Sequence, residues 1–138
     1  MAINFFNEDI EFDLPDKTST SKWIEKVLQN EGYEADTINY IFCSDEHLLS
    51  INKEYLGHNT LTDIITFDYS DSPDSIESDI FISVERVHEN ASALGKGFEE
   101  ELHRVVIHGL LHIMGYLDKT SDQKQEMREK EDACLSLR

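Results

Sequence analysis

The stretch from residue 98 to residue 115, FEEELHRVVIHGLLHIMG, constrains the fold more than any other part of the sequence. Its second half is apolar apart from two histidines that stand four residues apart. Three glutamates occupy the first turn, where they suit the positive end of a helix dipole, and the final glycine stands where a C-terminal cap belongs. We therefore predict that this stretch forms a central helix of the fold.

The rest of the sequence mixes helical and extended patterns. Apolar spacing and capping residues predict helices at 18–32, 45–57, 85–94 and 121–135, the second capped by Ser44 or Asp45 and the last by Ser121. Short β-branched and aromatic runs predict a strand or hairpin at 3–15 and strands at 35–43, 63–69 and 78–84, the last two being neighbours. Intermixed elements without regular βαβ alternation predict an α+β fold, with helices packed on a small mixed β-sheet.

Length and charge narrow the functional classes. A chain of 138 residues that is 39% hydrophobic has the size and apolar content of one domain, so we expect a single domain over 1–138. A formal net charge of −17 argues against coating nucleic acid through broad counterion release, so DNA is not an expected partner. The sequence has no apolar run of ~18 residues and no signal-peptide pattern, so we expect a cytoplasmic protein without a membrane partner. The two cysteines lie far apart and predict neither a disulfide framework nor a thiolate metal site.

The segment HGLLHIMGYLD, residues 108–118, has the pattern of a metal site. Residues four apart share one face of a helix, so His108 and His112 can converge on one ion such as zinc. Gly115 ends the helix and can bring Asp118 back as a third ligand, with a fourth position open to water. The alternative is a pair of core histidines, each of which would need its own polar partner. We favour the metal site.

The residue after the first histidine limits the chemistry. The segment repeats the spacing of the metzincin signature H-E-x-x-H-x-x-G-x-x-H, but Gly109 stands where the catalytic glutamate belongs. Glycine has no group that accepts a proton, so peptide hydrolysis by that mechanism is not expected. Because glycine costs a helix up to about 1 kcal/mol relative to alanine, we predict that Gly109 serves close packing, against the strand TDIITF.

The same segment carries a family resemblance. HGLLHIMGY resembles the H-G-x-L-H-x-x-G-Y-D-H signature of the YbeY family, bacterial metal-dependent endoribonucleases of ribosomal RNA maturation. INKEYLGHNTLTDIITFDY and SDIFIS are similar to two further blocks of that family, and the likeness runs in order over residues 51–127. The resemblance implies an α+β metalloprotein domain with one zinc-type ion on three side chains. It also implies cleavage of single-stranded RNA, action on the 3′ end of small-subunit ribosomal RNA, and a role in ribosome quality control.

The chain departs from the family pattern at the third ligand. Asp118 stands where the family has a histidine, ten residues after the first, which gives two histidines and one carboxylate. A carboxylate is a competent zinc ligand but adds negative charge to the ion. In a rival alignment Leu117 is an insertion and Asp118 matches the family's aspartate. Lys119 would then occupy the ligand position, and the metal site would lack a third protein ligand.

A second departure affects substrate binding. Leu56 stands where many members of the family have an arginine, and leucine cannot hold a phosphate. Five other side chains remain as candidate cations: Lys53, His58, Lys96, Arg104 and Lys119.

Further residues are candidates for the surroundings of the metal or for a substrate cleft. These are His58, Thr62, Asp63, Asp79 and Lys119. Asp63 or Asp79, each at a strand end, could orient a ligand histidine, and each could equally be a cap or a strand-edge charge.

The expected function is that of a metal-dependent endoribonuclease. It would use zinc, or another divalent transition metal, and act on ribosomal RNA in contact with the small subunit or its proteins. Two alternatives stay open: a non-catalytic ribosome-assembly factor with a structural metal, and a metalloprotease, which is the weaker of the two. No general base is identified.

Overall fold

The computed structural model describes residues 2–138 and has one four-stranded mixed sheet. The strand order is β1 (Ala2–Asn7), β2 (Glu34–Cys43), β4 (Ser75–Ser83) and β3 (Ile64–Asp68). β1, β2 and β4 run parallel. β3 pairs with β4, which confirms that these strands are neighbours, and the pairing is antiparallel. β3 is therefore an edge strand, and no other strand of residues 2–138 pairs with its outer side.

Five helices accompany the sheet within the described residues. They are α1 (Lys17–Asn30), α2 (Asp45–Leu56), α3 (Val84–Leu94), α4 (Phe98–Ile113) and α5 (Ser121–Leu135). Over residues 2–138, none of them is both long and apolar enough to cross a membrane. Helices packed on a mixed sheet confirm the predicted α+β class.

The N-caps of the helices agree with the sequence prediction in part: α1 is capped by Asp16 and not by one of the serines and threonines that follow it. Ser44 caps α2, since its side chain accepts a hydrogen bond from the His47 backbone N–H. The prediction that Ser121 caps α5 is wrong. Thr120 is the cap, because its hydroxyl accepts from the Gln123 backbone N–H while the Gln123 side chain accepts from the Thr120 N–H.

The main core lies between one face of the sheet and the helices α1 and α4, with contributions from α3 and α5. A smaller apolar cluster lies between α2 and β3 on the other face. The fully buried side chains of α4 are Leu102, Val106, Ile107, Leu110 and Leu111. Burying a side chain of this size stabilises a fold by roughly 1.5–3 kcal/mol. α4 is therefore fixed in place by its apolar residues, which makes it a rigid support for the polar groups at its C-terminal end.

Gly109 explains how closely α4 approaches the sheet. A Cβ at this position would lie 2.5 Å from Ile64 Cδ1 and 3.4 Å from the methyl carbon of Thr66. The close packing predicted against the TDIITF strand is confirmed. The contact sets the C-terminal half of α4 beside the edge strand β3.

Candidate metal centre

Two histidines and one aspartate converge at the C-terminal end of α4. His108 and His112 lie on one face of the last two turns, with ring centroids 4.6 Å apart. α4 ends at Ile113, and Gly115 adopts a φ of 103°, in the left-handed region that glycine tolerates. This turn brings Asp118 back over the helix end. Asp118 Oδ2 lies 3.4 Å from His108 Nε2 and 3.3 Å from His112 Nε2.

The three donors fit a zinc-type ion in both chemistry and spacing. Two imidazole nitrogens and a carboxylate oxygen are ordinary zinc ligands, and all three lie within 4.8 Å of one another. With zinc–ligand bonds of ~2.0–2.2 Å, neighbouring donors of a tetrahedral site lie about 3.3–3.5 Å apart. Both distances from Asp118 have this length. The three side chains are partly exposed, so a fourth coordination position can face solvent.

A buried glutamate from α5 contacts the far side of His108. Glu131 Oε2 lies 2.6 Å from His108 Nδ1, and Glu131 Oε1 accepts a hydrogen bond of 2.7 Å from the Arg104 guanidinium. Neither Asp63 nor Asp79, the two candidates from the sequence for orienting a ligand histidine, makes this contact with His108 Nδ1. The sequence did contain a signal, because Glu131 lies on the buried face of α5 between Met127 and Cys134.

These contacts shift the pKa values of both partners. Burial by itself would lower the pKa of His108, but the hydrogen bond and negative charge of Glu131, with Asp118, outweigh it and raise the pKa. Burial by itself would raise the pKa of Glu131, but hydrogen bonds from His108 and Arg104 outweigh it and lower the pKa. Both shifts favour the charged pair in the metal-free protein.

The metal ligands open onto a cleft of about 630 Å³ between α4, β3 and the end of α2. Three of the predicted surrounding residues line it, namely His58, Thr62 and Asp63. Burial raises the pKa of Asp63, and the nearby His108 only partly opposes this shift.

The other two predicted residues, Asp79 and Lys119, do not line the cleft. Asp79 lies on β4 and accepts a hydrogen bond from Asn39, so it belongs to the middle of the sheet. Lys119 precedes α5, and its backbone N–H donates to Gln123. Sequence proximity to a strand end and to Asp118 misled the prediction in both cases.

The cleft has little positive charge. Within the described residues, its lining includes no lysine or arginine, and His58 is the one candidate cation that reaches it. Arg104 is instead held by Glu131 and Asp132, and Lys96 lies 3.9 Å from Glu100. The lining does include two exposed leucines, Leu56 and Leu61. Phosphate groups therefore meet few fixed cations there.

Glu101, one turn before Arg104 on α4, is a buried carboxyl that nearby Lys96 and Arg104 compensate only in part. Its Oε1 has no hydrogen-bond partner among residues 2–138, and burial, with Asp63 as a smaller cause, raises its pKa. An ionised carboxylate in this position destabilises the fold, because its lost hydration is not replaced.

We expect the substitution Glu101→Gln to increase the free energy of unfolding by about 1 kcal/mol at pH 8. A carboxyl whose pKa is raised in the folded state penalises folding only above its ordinary value of 4.5. The difference between the variant and the unmodified protein should therefore shrink as the pH falls toward that value. Urea unfolding at pH 8 and pH 5 measures this, and the exposed neighbour Glu100→Gln is the control. An equal gain at both pH values would contradict the explanation.

Comparison with known proteins decides the family. A family model described as Endoribonuclease YbeY matches residues 3–137. The chain belongs to the YbeY family. The resemblance seen over residues 51–127 thus extends over nearly the whole sequence.

Individual relatives support the assignment. The protein named Endoribonuclease YbeY from Cytophaga hutchinsonii is 49% identical over 137 residues, which cover 99% of this chain and 96% of that protein. The protein of the same name from Flavobacterium psychrophilum is 51% identical, covering 96% of this chain and 94% of the relative. A solution structure of a Thermotoga maritima protein superimposes with a TM-score of 0.70 at 27% identity, covering 99% of this chain and 88% of that one. The sheet and helices described above are therefore the YbeY arrangement.

Proposed function

We propose that this chain is a metal-dependent endoribonuclease that cleaves single-stranded RNA. The observation that carries the proposal is the convergence of His108, His112 and Asp118 at the open cleft. The name shared by its relatives, Endoribonuclease YbeY, supports RNA as the substrate.

The proposed metal is zinc, with another divalent transition metal as the alternative. His108 and His112 would provide nitrogen ligands, and Asp118 would provide a carboxylate oxygen. A bound ion of this type supplies a Lewis acid that polarises a phosphoryl oxygen and lowers the pKa of water. The chain's own residues orient the substrate: the imidazole of His58 lines the cleft and can donate to a phosphate, whereas the Thr62 hydroxyl donates to the Ile64 carbonyl.

The cleft also argues against peptide hydrolysis by the zincin mechanism. That mechanism needs a glutamate after the first histidine, and the backbone of Gly109 packs against β3 instead. A Cβ at this position would lie 2.5 Å from Ile64 Cδ1, so a glutamate would require that side chain to move. RNA carries its own 2′-hydroxyl next to the bond that breaks, and this group can act as the nucleophile in place of water.

The biological setting is part of the proposal. We propose that residues 1–138 act as one metalloprotein domain in the cytoplasm, on the 3′ end of small-subunit ribosomal RNA and in ribosome quality control. The net charge of −17 makes long-range attraction to bare RNA unfavourable. Contact with the small subunit, through its proteins, would bring this acidic chain to its substrate.

The experiment that tests the activity compares metal-free and zinc-reloaded protein. We expect the reloaded protein to cleave a single-stranded RNA oligonucleotide, and to leave its duplex, its DNA counterpart and an unstructured peptide intact. Chelated protein should be inactive. A protein that binds zinc and small ribosomal subunits, yet cleaves no RNA, would instead be a non-catalytic assembly factor. The absence of lysine and arginine from the described cleft lining favours that second candidate.

The same absence predicts a weak dependence of RNA binding on salt. Each phosphate neutralised on a single strand adds about −0.7 to the slope of log K against log salt concentration. We expect a slope shallower than about −1.5 for metal-free protein and a short RNA, measured by fluorescence anisotropy. Adding a cation to the lining, by Leu56→Arg, should steepen the slope by about 0.7. A slope of about −3 in the unmodified protein would mean that basic residues outside the cleft hold the strand.

A further inference from the structure

Glu131 is a charged residue in an unusual place. It is 5% exposed and lies on the buried face of α5, and the two other buried residues of that helix are Met127 and Cys134. Isolated carboxylates are rarely buried, because the loss of hydration costs several kcal/mol unless charged partners replace the water. The partners that Glu131 has should therefore show its role.

Each oxygen of Glu131 has a different partner. Oε1 accepts from Arg104 at 2.7 Å, and Oε2 faces His108 Nδ1 at 2.6 Å. Arg104 donates also to Asp132, at 2.5 Å, so the guanidinium is fixed between two carboxylates of α5. If Glu131 served only to hold α5 to α4, its ion pair with Arg104 would be enough. Its second oxygen, Oε2, contacts the imidazole of His108, and this contact indicates a further role.

The contact constrains the imidazole chemically. A neutral imidazole carries one proton, on either Nδ1 or Nε2, and a carboxylate beside Nδ1 accepts a hydrogen bond only if the proton is there. Nε2, which faces Asp118 at 3.4 Å, is then free to bind an ion. His112 has no comparable partner among the hydrogen bonds of residues 2–138, so the constraint applies to one of the two histidines.

We propose that Glu131, fixed by Arg104, is a positioning residue: it holds His108 in the tautomer with the proton on Nδ1 and thereby links the packing of α5 to the affinity of the metal site. The inference rests on the metal site proposed above. Two coupled events stabilise each other by the same free energy. Metal binding therefore also stabilises the packing of α5 on α4.

The decisive experiment measures zinc affinity and the tautomer of His108. Three variants are compared with the unmodified protein: Glu131→Ala, Glu131→Gln and, as a control on the exposed face of α5, Glu129→Ala. Loss of such an orienting group typically weakens metal binding 10–100-fold, so we expect this loss for Glu131→Ala. Glu131→Gln keeps an oxygen that accepts from Nδ1, so its loss should stay below about tenfold. Glu129→Ala should bind zinc like the unmodified protein.

Nitrogen NMR gives the readout that a purely structural role would not change. In metal-free protein, at a pH well above the pKa of His108, the ring should carry its proton on Nδ1 in the unmodified protein and in Glu131→Gln. Glu131→Ala should move the proton to Nε2. A proton on Nε2 in the unmodified protein would overturn the proposal even if Glu131→Ala fails to fold.

The linkage has its own measurement in the unmodified protein. Zinc should slow amide hydrogen exchange in α5, and we expect the exchange rate to fall at least tenfold. By linkage, undocking α5 from α4 would weaken zinc binding by the same factor. Unchanged exchange in α5 with zinc bound, or equal zinc affinity in Glu131→Ala, overturns this inference and leaves the proposed function standing. Failure of the unmodified protein to bind zinc overturns both.

Discussion

His112→Ala is expected to abolish zinc binding and RNA cleavage together, while the protein still unfolds cooperatively. The imidazole of His112 is partly exposed at the end of α4 and makes no contact that the apolar core needs. Two remaining ligands do not hold zinc in a protein site that normally needs three. We expect less than 0.1 equivalent of zinc by elemental analysis at micromolar protein, and a loss of cleavage of at least about 1,000-fold.

The control for this variant is another histidine of the same cleft. His58→Ala removes an imidazole from the lining without touching the three converging donors. It should keep one equivalent of zinc, although RNA affinity can fall. Zinc retained at full stoichiometry in His112→Ala would show that the histidine pair is not the site. Loss of the cooperative transition in that variant would shift the test to His112→Gln, which keeps the polar side chain.

Asp118→Ala is expected to weaken zinc binding by at least about 100-fold, because it removes the one ligand that carries a negative charge. Lys119→Ala should leave zinc affinity unchanged, since the Lys119 side chain lies outside the cleft lining. Asp118→His restores the ligand type found in the YbeY signature and should keep one equivalent of zinc. Competition with a chromophoric chelator measures all three variants.

The variants Asp118→Ala and Lys119→Ala also decide between the two alignments. The Asp118 carboxylate lies within 3.4 Å of both histidine nitrogens, as the ten-residue spacing predicted. Under the rival alignment, Lys119→Ala would be the damaging change and Asp118→Ala would be mild. If both Asp118→Ala and Lys119→Ala keep zinc, the third ligand lies elsewhere in the chain.

The sequence predicted those parts of the site that depend on local geometry. His108 and His112 follow from the helical repeat, and the return of Asp118 follows from a glycine that permits a left-handed turn. All three lie within eleven residues, so their convergence can be predicted without knowing how distant parts of the chain pack. The pairing of β3 with β4 was predictable for the same reason.

The parts that failed depend on tertiary packing. Glu131 reaches His108 across 23 residues, and its signal is only an acidic residue on the buried face of a weakly apolar helix. The sequence predicts Asp79 at a strand end, but β4 begins at Ser75, so Asp79 lies inside the sheet. The sequence also offers Arg104 as a cation for phosphate, but two carboxylates of α5 bind its guanidinium. The periodicity of apolar residues predicts which face of a helix is buried, but it does not predict which other helix packs against that face.

The bare backbone at Gly109 limits the evolutionary routes open to this fold. A single substitution to glutamate would create an H-E-x-x-H pattern in sequence, yet its Cβ would lie 2.5 Å from Ile64 Cδ1 and 3.4 Å from methyl carbons of Ile80 and Thr66. Such a chain would first have to move the end of the Ile64 side chain and repack the contact between α4 and β3. The close packing of α4 on β3 would then disfavour a side chain at the position where the zincin mechanism places its base, and would help to keep the two hydrolytic chemistries apart.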